Sequence, residues 1–292
     1  MINWRIYVLT NTFIHIQCIG AITEQRLWES GIRDWDAIDG DLPSQVAPRR
    51  KYFLLSGIEE SRRHLEGCNP SYFSKLLPSN QSWRFFPEFR NSTVYLDIET
   101  TGLDRYFNDI TTIALYDGKA ISTYVQGQNL DDFVEDIQKY KVIVSYNGKS
   151  FDVPFLEHYF NIRLGHAHID LRYVLSSLGL RGGLKGCEKQ LGMDRGDLKD
   201  IDGYFAVLLW EEYQRTGDQK ALDTLLSYNI QDTINLENLM VTAYNMKLKD
   251  TPFYDTHLIP KSRPSANPYR ADFKTVDRIK RSPQYWPSQQ WY

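Results

Sequence analysis

Cysteine is scarce in this chain. Three occur in 292 residues, Cys18, Cys68 and Cys187, scattered and unable all to pair with one another. This excludes a disulfide-stapled scaffold, and the missing metal-ligand spacing argues against a cysteine metal site, so a reducing cytoplasm is the expected setting. Long apolar runs are missing too. No stretch approaches the roughly 20 apolar residues of a membrane span, and the opening "MINWRIYVLTNTF" has neither the basic start nor the apolar run of a secretory leader. No membrane partner is expected. Nor is there an excess of one charge: 34 Lys and Arg against 37 Asp and Glu leave a net −3. A polyanionic partner would have to be attracted by local patches or bound cations. What is present is an ordinary globular composition, 42% hydrophobic and 24% charged, with 14% aromatics to supply both core and stacking surfaces.

Four zones follow along the chain. Residues 1–45 carry helical spacing on both sides of Gly20, with Gly31 ending the second run. Residues 46–92 read as a helix, "GIEESRRHLEG", then a loop-like aromatic connector that packs through Trp83, Phe85 and Phe86. Residues 93–245 alternate strand and helix patterns and should hold the main core. Residues 246–292 contain Pro252, Pro260, Pro264, Pro268, Pro283 and Pro287 and read as an extended tail. In the third zone, "STVYLDIE" is a strand, and "DITTIALYDG" with "KAISTYV" form two strands joined at Asp117-Gly118. "NLDDFVEDIQKY" is a helix that Asn129 is placed to cap, and "KVIVSYNG" is a short apolar strand. "HIDLRYVL" is a further strand or the start of a short helix, and three helical stretches follow. The pattern predicts an α/β fold, a mixed sheet with helices on both sides.

Acids stand where a core would be expected. In "YLDIETTGLD", Val94, Leu96 and Ile98 point to one face of a strand, and Asp97 and Glu99 converge on the other. Taken alone, such a pair is most often a solvated face. "YNGKSFDVPFL" adds Asp152 at a helix start, where Asp is favoured as a cap, with Asn147 five residues earlier and Phe151 adjacent. "YNIQD" adds Tyr228 and Asp232, one helical turn apart on one face. Each is weak singly; together, in this order on an α/β pattern, they are specific.

Taken together, "LDIETTGL", "NGKSFD" and "YNIQD" resemble the three motifs of the DEDD superfamily of 3′–5′ exonucleases, with Tyr228 similar to the marker of the tyrosine subclass. The likeness covers about residues 93–245. "TFIHIQCIGAITEQRLWESGI" and "LPSNQSWRFFPEFR" further resemble a prokaryotic branch of exonucleases in that superfamily with a helix–hairpin–helix-like leader. The resemblance implies a ribonuclease H-like mixed sheet, three antiparallel strands then parallel ones. It implies two divalent cations held by Asp97, Glu99, Asp152 and Asp232, with Asp97 shared. Oxygen-only ligands suit Mg²⁺ or Mn²⁺. One cation would activate a water and the other stabilise the leaving 3′ oxygen. Glu99 would accept a hydrogen bond from that water. Tyr228, whose side chain has a reference pKa of about 10, would donate one to orient it. The expected substrate is the 3′ end of single-stranded DNA, or RNA. Thr100, Thr101, Gly102 and Leu103 either hold its terminal nucleotide or form a plain turn. Asn147, beside Phe151, braces the site, touches the substrate or is only a turn residue, and Lys185 contacts a phosphate or is a solvated helix lysine.

Other signals stay open. "CIGAIT" is half of a phosphate-binding hairpin or a packing element, and Cys18 replaces its usual first glycine. His166, His168 and Asp170 alternate and form either a transition-metal site or a structural strand whose Asp170 ties down backbone. The tail interleaves Lys261, Arg263, Arg270, Lys274, Arg278, Lys280 and Arg281 with Tyr269, Tyr285, Trp286, Trp291 and Tyr292. It either stacks on single strands or wraps the body. A ribonuclease H-like endonuclease and a catalytically silent binding module are the alternative functions.

Overall fold

Among the described residues, four α-helices precede the sheet: α1 (Ala21–Glu29), α2 (Pro48–Glu66), α3 (Pro70–Leu76) and α4 (Phe86–Phe89). The computed structural model describes residues 8–38, 48–193, 202–263 and 265–282. Pro264, Pro283, Pro287, Tyr285, Trp286, Trp291 and Tyr292 of the tail lie outside them. Gly20 opens α1, and Gly31, with φ +94°, lies just beyond its end. The connector expected to be loop-like is mostly helical: α3, a 3₁₀ stretch Ser79–Phe85 and α4 follow one another. Pro70 and Pro87 sit in first turns, where a missing N–H costs nothing. The rings of Phe73, Trp83, Phe85, Phe86 and Phe89 are all buried.

Five strands form one sheet in the order β3-β2-β1-β4-β5: β1 (Thr93–Thr100), β2 (Ile110–Tyr116), β3 (Ile121–Val125), β4 (Val142–Ser145) and β5 (Ala167–Asp170). β1, β2 and β3 pair antiparallel, and β4 and β5 join parallel to β1, the mixed sheet expected. The β2–β3 turn is held by Asp117, whose carboxylate accepts the N–H groups of Lys119 and Ala120, with Gly118 at φ +89°. Asn129 stands at the cap position of the helical stretch after β3, as expected, but its side chain makes no cap bond there. Its amide instead bonds Val125 N and Thr123 O, closing the end of β3, and the stretch breaks into two 3₁₀ turns around a short α5 (Phe133–Asp136).

Period-two alternation divides the core. Val94, Leu96 and Ile98 of β1 pack with Phe133 of α5 and with Phe155 and Leu156 of α6 (Asp152–Tyr159). Tyr95, Val142 and Val144 face the other way, onto Ile230, Ile234 and Leu236. The chain reaches that second layer through α7 (Leu171–Ser176), α8 (Gly183–Gln190), α9 (Gly203–Thr216) and α10 (Gln219–Leu248). "HIDLRYVL" is both things it could have been: β5 ends at Asp170 and α7 starts at Leu171. Phe13, Trp35, Phe73 and Trp83 belong to the same continuous apolar cluster as this layer.

Beyond α10, α11 (Tyr254–His257) and α12 (Phe273–Lys280) lie in a segment that wraps the body. Asn245 pairs with the backbone of Ile259, Ser262 bonds Glu237, Asn267 donates to Ser227 O, and Asp272 N donates to Thr224. Val276 and Ile279 are buried against the α9–α10 layer. Among the described residues, no helix is long and apolar enough to cross a membrane.

One buried acid predicts a pH dependence of stability. The tip of Glu88 is enclosed, with Oε1 accepting Leu9 N–H at 2.7 Å and Oε2 without a partner. Burial pushes its carboxyl from 4.5 up to about 8. A pKa raised on folding adds stability in full below the unfolded value, and that stability is lost as pH climbs through the folded one. Glu88→Gln, neutral throughout, is therefore expected to match the parent near pH 4–5 and to exceed it by a few kcal/mol by pH 9, at roughly 1.4 kcal/mol per pKa unit. Urea unfolding at the two pH values checks this. Equal stability of the pair at pH 9 would show that Glu88 does not titrate as its burial requires.

Candidate active site

β1 is central in the sheet, and its last residues carry the first two acids onto the α10 face. Asp97 lies opposite Ala114 and Glu99 opposite Thr112, after which the register shifts at Thr100. Such an irregularity re-aims side chains at the end of a strand. α10 supplies the third acid, Asp232, which is buried. One carboxylate oxygen from each of Asp97, Glu99 and Asp232 lies within 4.8 Å of the others. These residues are 135 positions apart in the chain (232 − 97) and meet because α10 packs against β1 and β2.

Asp152 stands beside this trio. It is the first residue of α6 and 4% exposed. It does not cap the helix as expected: the cap position falls on Phe151, and no side chain bonds there. Burial drives the Asp152 carboxyl well above the usual carboxylate range, and the negative charge of Asp97 adds to that. The backbone N–H groups of Asp152 itself and of Ile98 pull the other way.

This arrangement fits a hard cation. Three carboxylates converge with no histidine or cysteine among them, and a fourth stands beside them at a cost that a nearby cation would further offset. Divalent cations of the Mg²⁺ or Mn²⁺ type suit such a donor set.

The surroundings fix the acids in place. Asn229 donates its amide to Asp97 Oδ2 at 2.7 Å and accepts from Thr112 at 3.2 Å, joining α10, β1 and β2. The sequence reading overlooked Asn229. The available signal was its spacing, three residues before Asp232 and so on the same helical face. Tyr228 is 4% exposed, and the Lys185 ammonium of α8 lies 5.0 Å from its ring centre. Lys185 therefore meets Tyr228 directly, which the sequence did not suggest.

The turn after β4 is equally constrained. Asn147 adopts φ +67°, and its N–H and that of Lys149 donate to Asp170 at 2.8 and 3.1 Å. Asp170 also accepts Arg172 N at 3.0 Å. It ties down backbone, as one of the two alternatives held. A Cβ on Gly148 would lie 2.1 Å from Ser145 Oγ and 3.4 Å from Asp152 Oδ2. Glycine is thus required where the turn passes between β4 and the acid. Arg172 reaches Asn147 Oδ1 at 2.5 Å. His166 bonds Ile137 O at 3.0 Å, and His168 bonds Ser145 Oγ at 2.7 Å. Burial takes His168 down to about 3, so it stays neutral. The two histidines and Asp170 do not converge on one point.

Thr100 bonds Gly102 O at 2.7 Å, and Thr101 N donates to Asp109 O at 2.9 Å. A Cβ on Gly102 would fall 2.4 Å from Asn108 Oδ1, so glycine is needed for that approach. Leu103 is 67% exposed. Phe151 turns toward Phe155, their ring centres 5.6 Å apart.

In the leader, Cys18 takes φ +67°, a conformation glycine adopts freely, at the place where a hairpin of that type has glycine. The helix it precedes is fastened inward. Glu24 accepts Phe13 N and Ile14 N at 2.7 and 3.0 Å and pairs with Arg84 at 2.9 Å.

Comparison with known proteins gives two findings. Residues 94–244 match a family model described as the RNase_H superfamily. The solved structure of the family B DNA polymerase from the hyperthermophilic archaeon Pyrobaculum calidifontis is similar at 15% identity and a TM-score of 0.35, over 53% of this chain and 29% of that one. The chain thus spans less than a third of that polymerase's length. No curated protein matches.

Proposed function

Because this chain belongs to the RNase_H superfamily, we propose that it is a metal-dependent nuclease of the DEDD type, tyrosine subclass, that removes nucleotides from the 3′ end of single-stranded DNA or RNA. One observation carries the reading: Asp97, Glu99 and Asp232 converge within 4.8 Å, with Asp152 beside them and Tyr228 one turn before Asp232 on the same helix. The nuclease unit is residues 93–245, with 1–45, 46–92 and 246–292 as its appendages.

A phosphodiester is anionic, and this cluster repels it when empty. Two divalent cations, when bound by Asp97, Glu99, Asp152 and Asp232, would neutralise that repulsion and make water a better nucleophile. The chain's own residues do the rest. Asn229 holds Asp97 in one orientation. Glu99 accepts a hydrogen bond from the attacking water, and the Tyr228 hydroxyl donates one to it, fixing its line of approach. Lys185 over the Tyr228 ring restrains that tyrosine. The loop from Thr100 to Leu103 borders the site and holds the terminal nucleotide.

Tyr228→Phe is expected to lower turnover about 10- to 100-fold, the range of a positioning contribution. Mn²⁺ affinity by calorimetry should stay unchanged. A parallel loss of Mn²⁺ affinity would make Tyr228 a structural prop of the acids.

The assay that tests the whole reading uses 5′-labelled single-stranded DNA and RNA with Mg²⁺ or Mn²⁺ and an EDTA control. A ladder shortening from the 3′ end supports it. Internal cuts would replace it with a ribonuclease H-like endonuclease, and retarded but intact strands with a silent binding module.

A further inference from the structure

The loop from Thr101 to Asp109, which joins β1 to β2, is closely built yet presents bare apolar surface. Its base is closed by Thr101 N to Asp109 O and by Asp109 N to Thr101 Oγ1, each at 2.9 Å. Its interior is organised by Asp104, which accepts Tyr106 N on its carboxylate and Phe107 N, Asn108 N and Asn108 Nδ2 on its carbonyl. On this frame Leu103 is 67%, Tyr106 63% and Phe107 86% exposed. Tyr106 is braced from two sides. The Arg105 guanidinium lies 4.9 Å from its ring centre, and the His158 ring meets it edge-on at 4.8 Å. Phe107 has no such neighbour: among the described residues no ring or cation stacks on it.

A phenylalanine left in water forgoes roughly 1.5–3 kcal/mol of burial. A loop fixed by its own hydrogen bonds cannot fold it away. The rings therefore stand ready for something outside the fold. Position names the occupant. Phe107 is two residues from Asp109, roughly 7 Å of extended chain, and Asp109 is bonded to Thr101, two residues past Glu99. The platform is continuous with the acid cluster through β1. Resting on the nuclease reading for that reason, we propose that Phe107, backed by Tyr106, is a stacking platform for unpaired bases of the strand whose 3′ end enters the acid cluster, and that it selects unpaired over paired substrate. A π-face accepts any base, whereas bases within a duplex have their faces already covered.

Equilibrium binding in EDTA tests this without turnover, using a short fluorescein-labelled oligothymidylate and a blunt hairpin duplex with the same label. Phe107 is on the surface, so its variants keep the fold. Phe107→Ala should weaken oligothymidylate binding between about 5- and 100-fold, the range of one lost base stack, with a much smaller effect on the hairpin. In Phe107→Trp, affinity should be retained, and the added indole emission should be quenched on saturation. The proposal is overturned by an unchanged Kd in Phe107→Ala, by equal losses on both probes, or by an indole that does not respond. Self-association lost in Phe107→Ala at constant oligothymidylate affinity would also overturn it, assigning the ring to a protein contact. If the wild type binds and stacks but never cuts when Mg²⁺ is added, the nuclease reading falls and this one stands.

Discussion

Replacing Asp97 by asparagine is expected to abolish 3′-end hydrolysis, by a factor on the order of 10³ or more, and at the same time to stabilise the metal-free protein. Both effects come from one geometry. Three carboxylate oxygens within 4.8 Å, and an Asp152 pushed upward by its burial and further by Asp97, are mutually unfavourable when no cation lies between them. Asparagine keeps the shape and an oxygen for the Asn229 amide but removes the charge at the centre of that cluster. In EDTA the variant should melt above the parent by a few degrees, since about 1 kcal/mol corresponds to ~2–4 °C in a chain of this size. On adding Mg²⁺ or Mn²⁺ the parent should rise by mass action and the variant should not. Thermal scans with and without the ion, beside the end-labelled assay, check both halves. A variant that still gains stability from the ion would remove Asp97 from the ligand set.

The second large effect lies in the leader. The Arg84 guanidinium meets both oxygens of Glu24, at 2.9 and 3.1 Å, with side-chain exposures of 7% and 2%, and stacks over Trp28 and Trp83. Arg84→Met leaves the Glu24 carboxylate enclosed with only the N–H groups of Phe13 and Ile14 as partners. Breaking a buried pair from one side costs about 3–5 kcal/mol, so unfolding in urea should shift by that amount. Adding Glu24→Gln should restore more than half, because the stranded charge, rather than the lost contact, is the main penalty. A loss below about 1 kcal/mol in Arg84→Met would mean that packing alone docks the leader. An intermediate in the unfolding curve would show the leader separating first.

Some of this was legible in the residues and some was not, for definite reasons. Asp97 and Glu99 could be placed on one face because a strand repeats every two residues. Tyr228 and Asp232 could be placed together because a helix repeats every 3.6. The mixed sheet followed from the spacing of short apolar runs. The Glu24–Arg84 pair spans 60 positions (84 − 24), and no local period announces it. Asn129 and Asp152 were both assigned to helix caps on a rule about neighbours in sequence. Other partners claimed their side chains instead: for Asn129 the backbone at the end of β3, four and six residues back, and for Asp152 the acid cluster. The aromatic connector was read as loop-like, and it is mostly helical, with Pro70 and Pro87 in first helical turns. Asn229 was passed over because an amide in a helix announces nothing until its β-strand partners are known.

The order of the acids along the chain has a bearing on biosynthesis. Two emerge from the ribosome 133 residues (232 − 99) before the last, which lies on a helix held by a segment made later still. Growing polypeptides therefore carry an incomplete centre until α10 is made. A message broken before the codon for Asp232 yields a product lacking one of the three converging oxygens, and with it the cation site that the proposed chemistry needs.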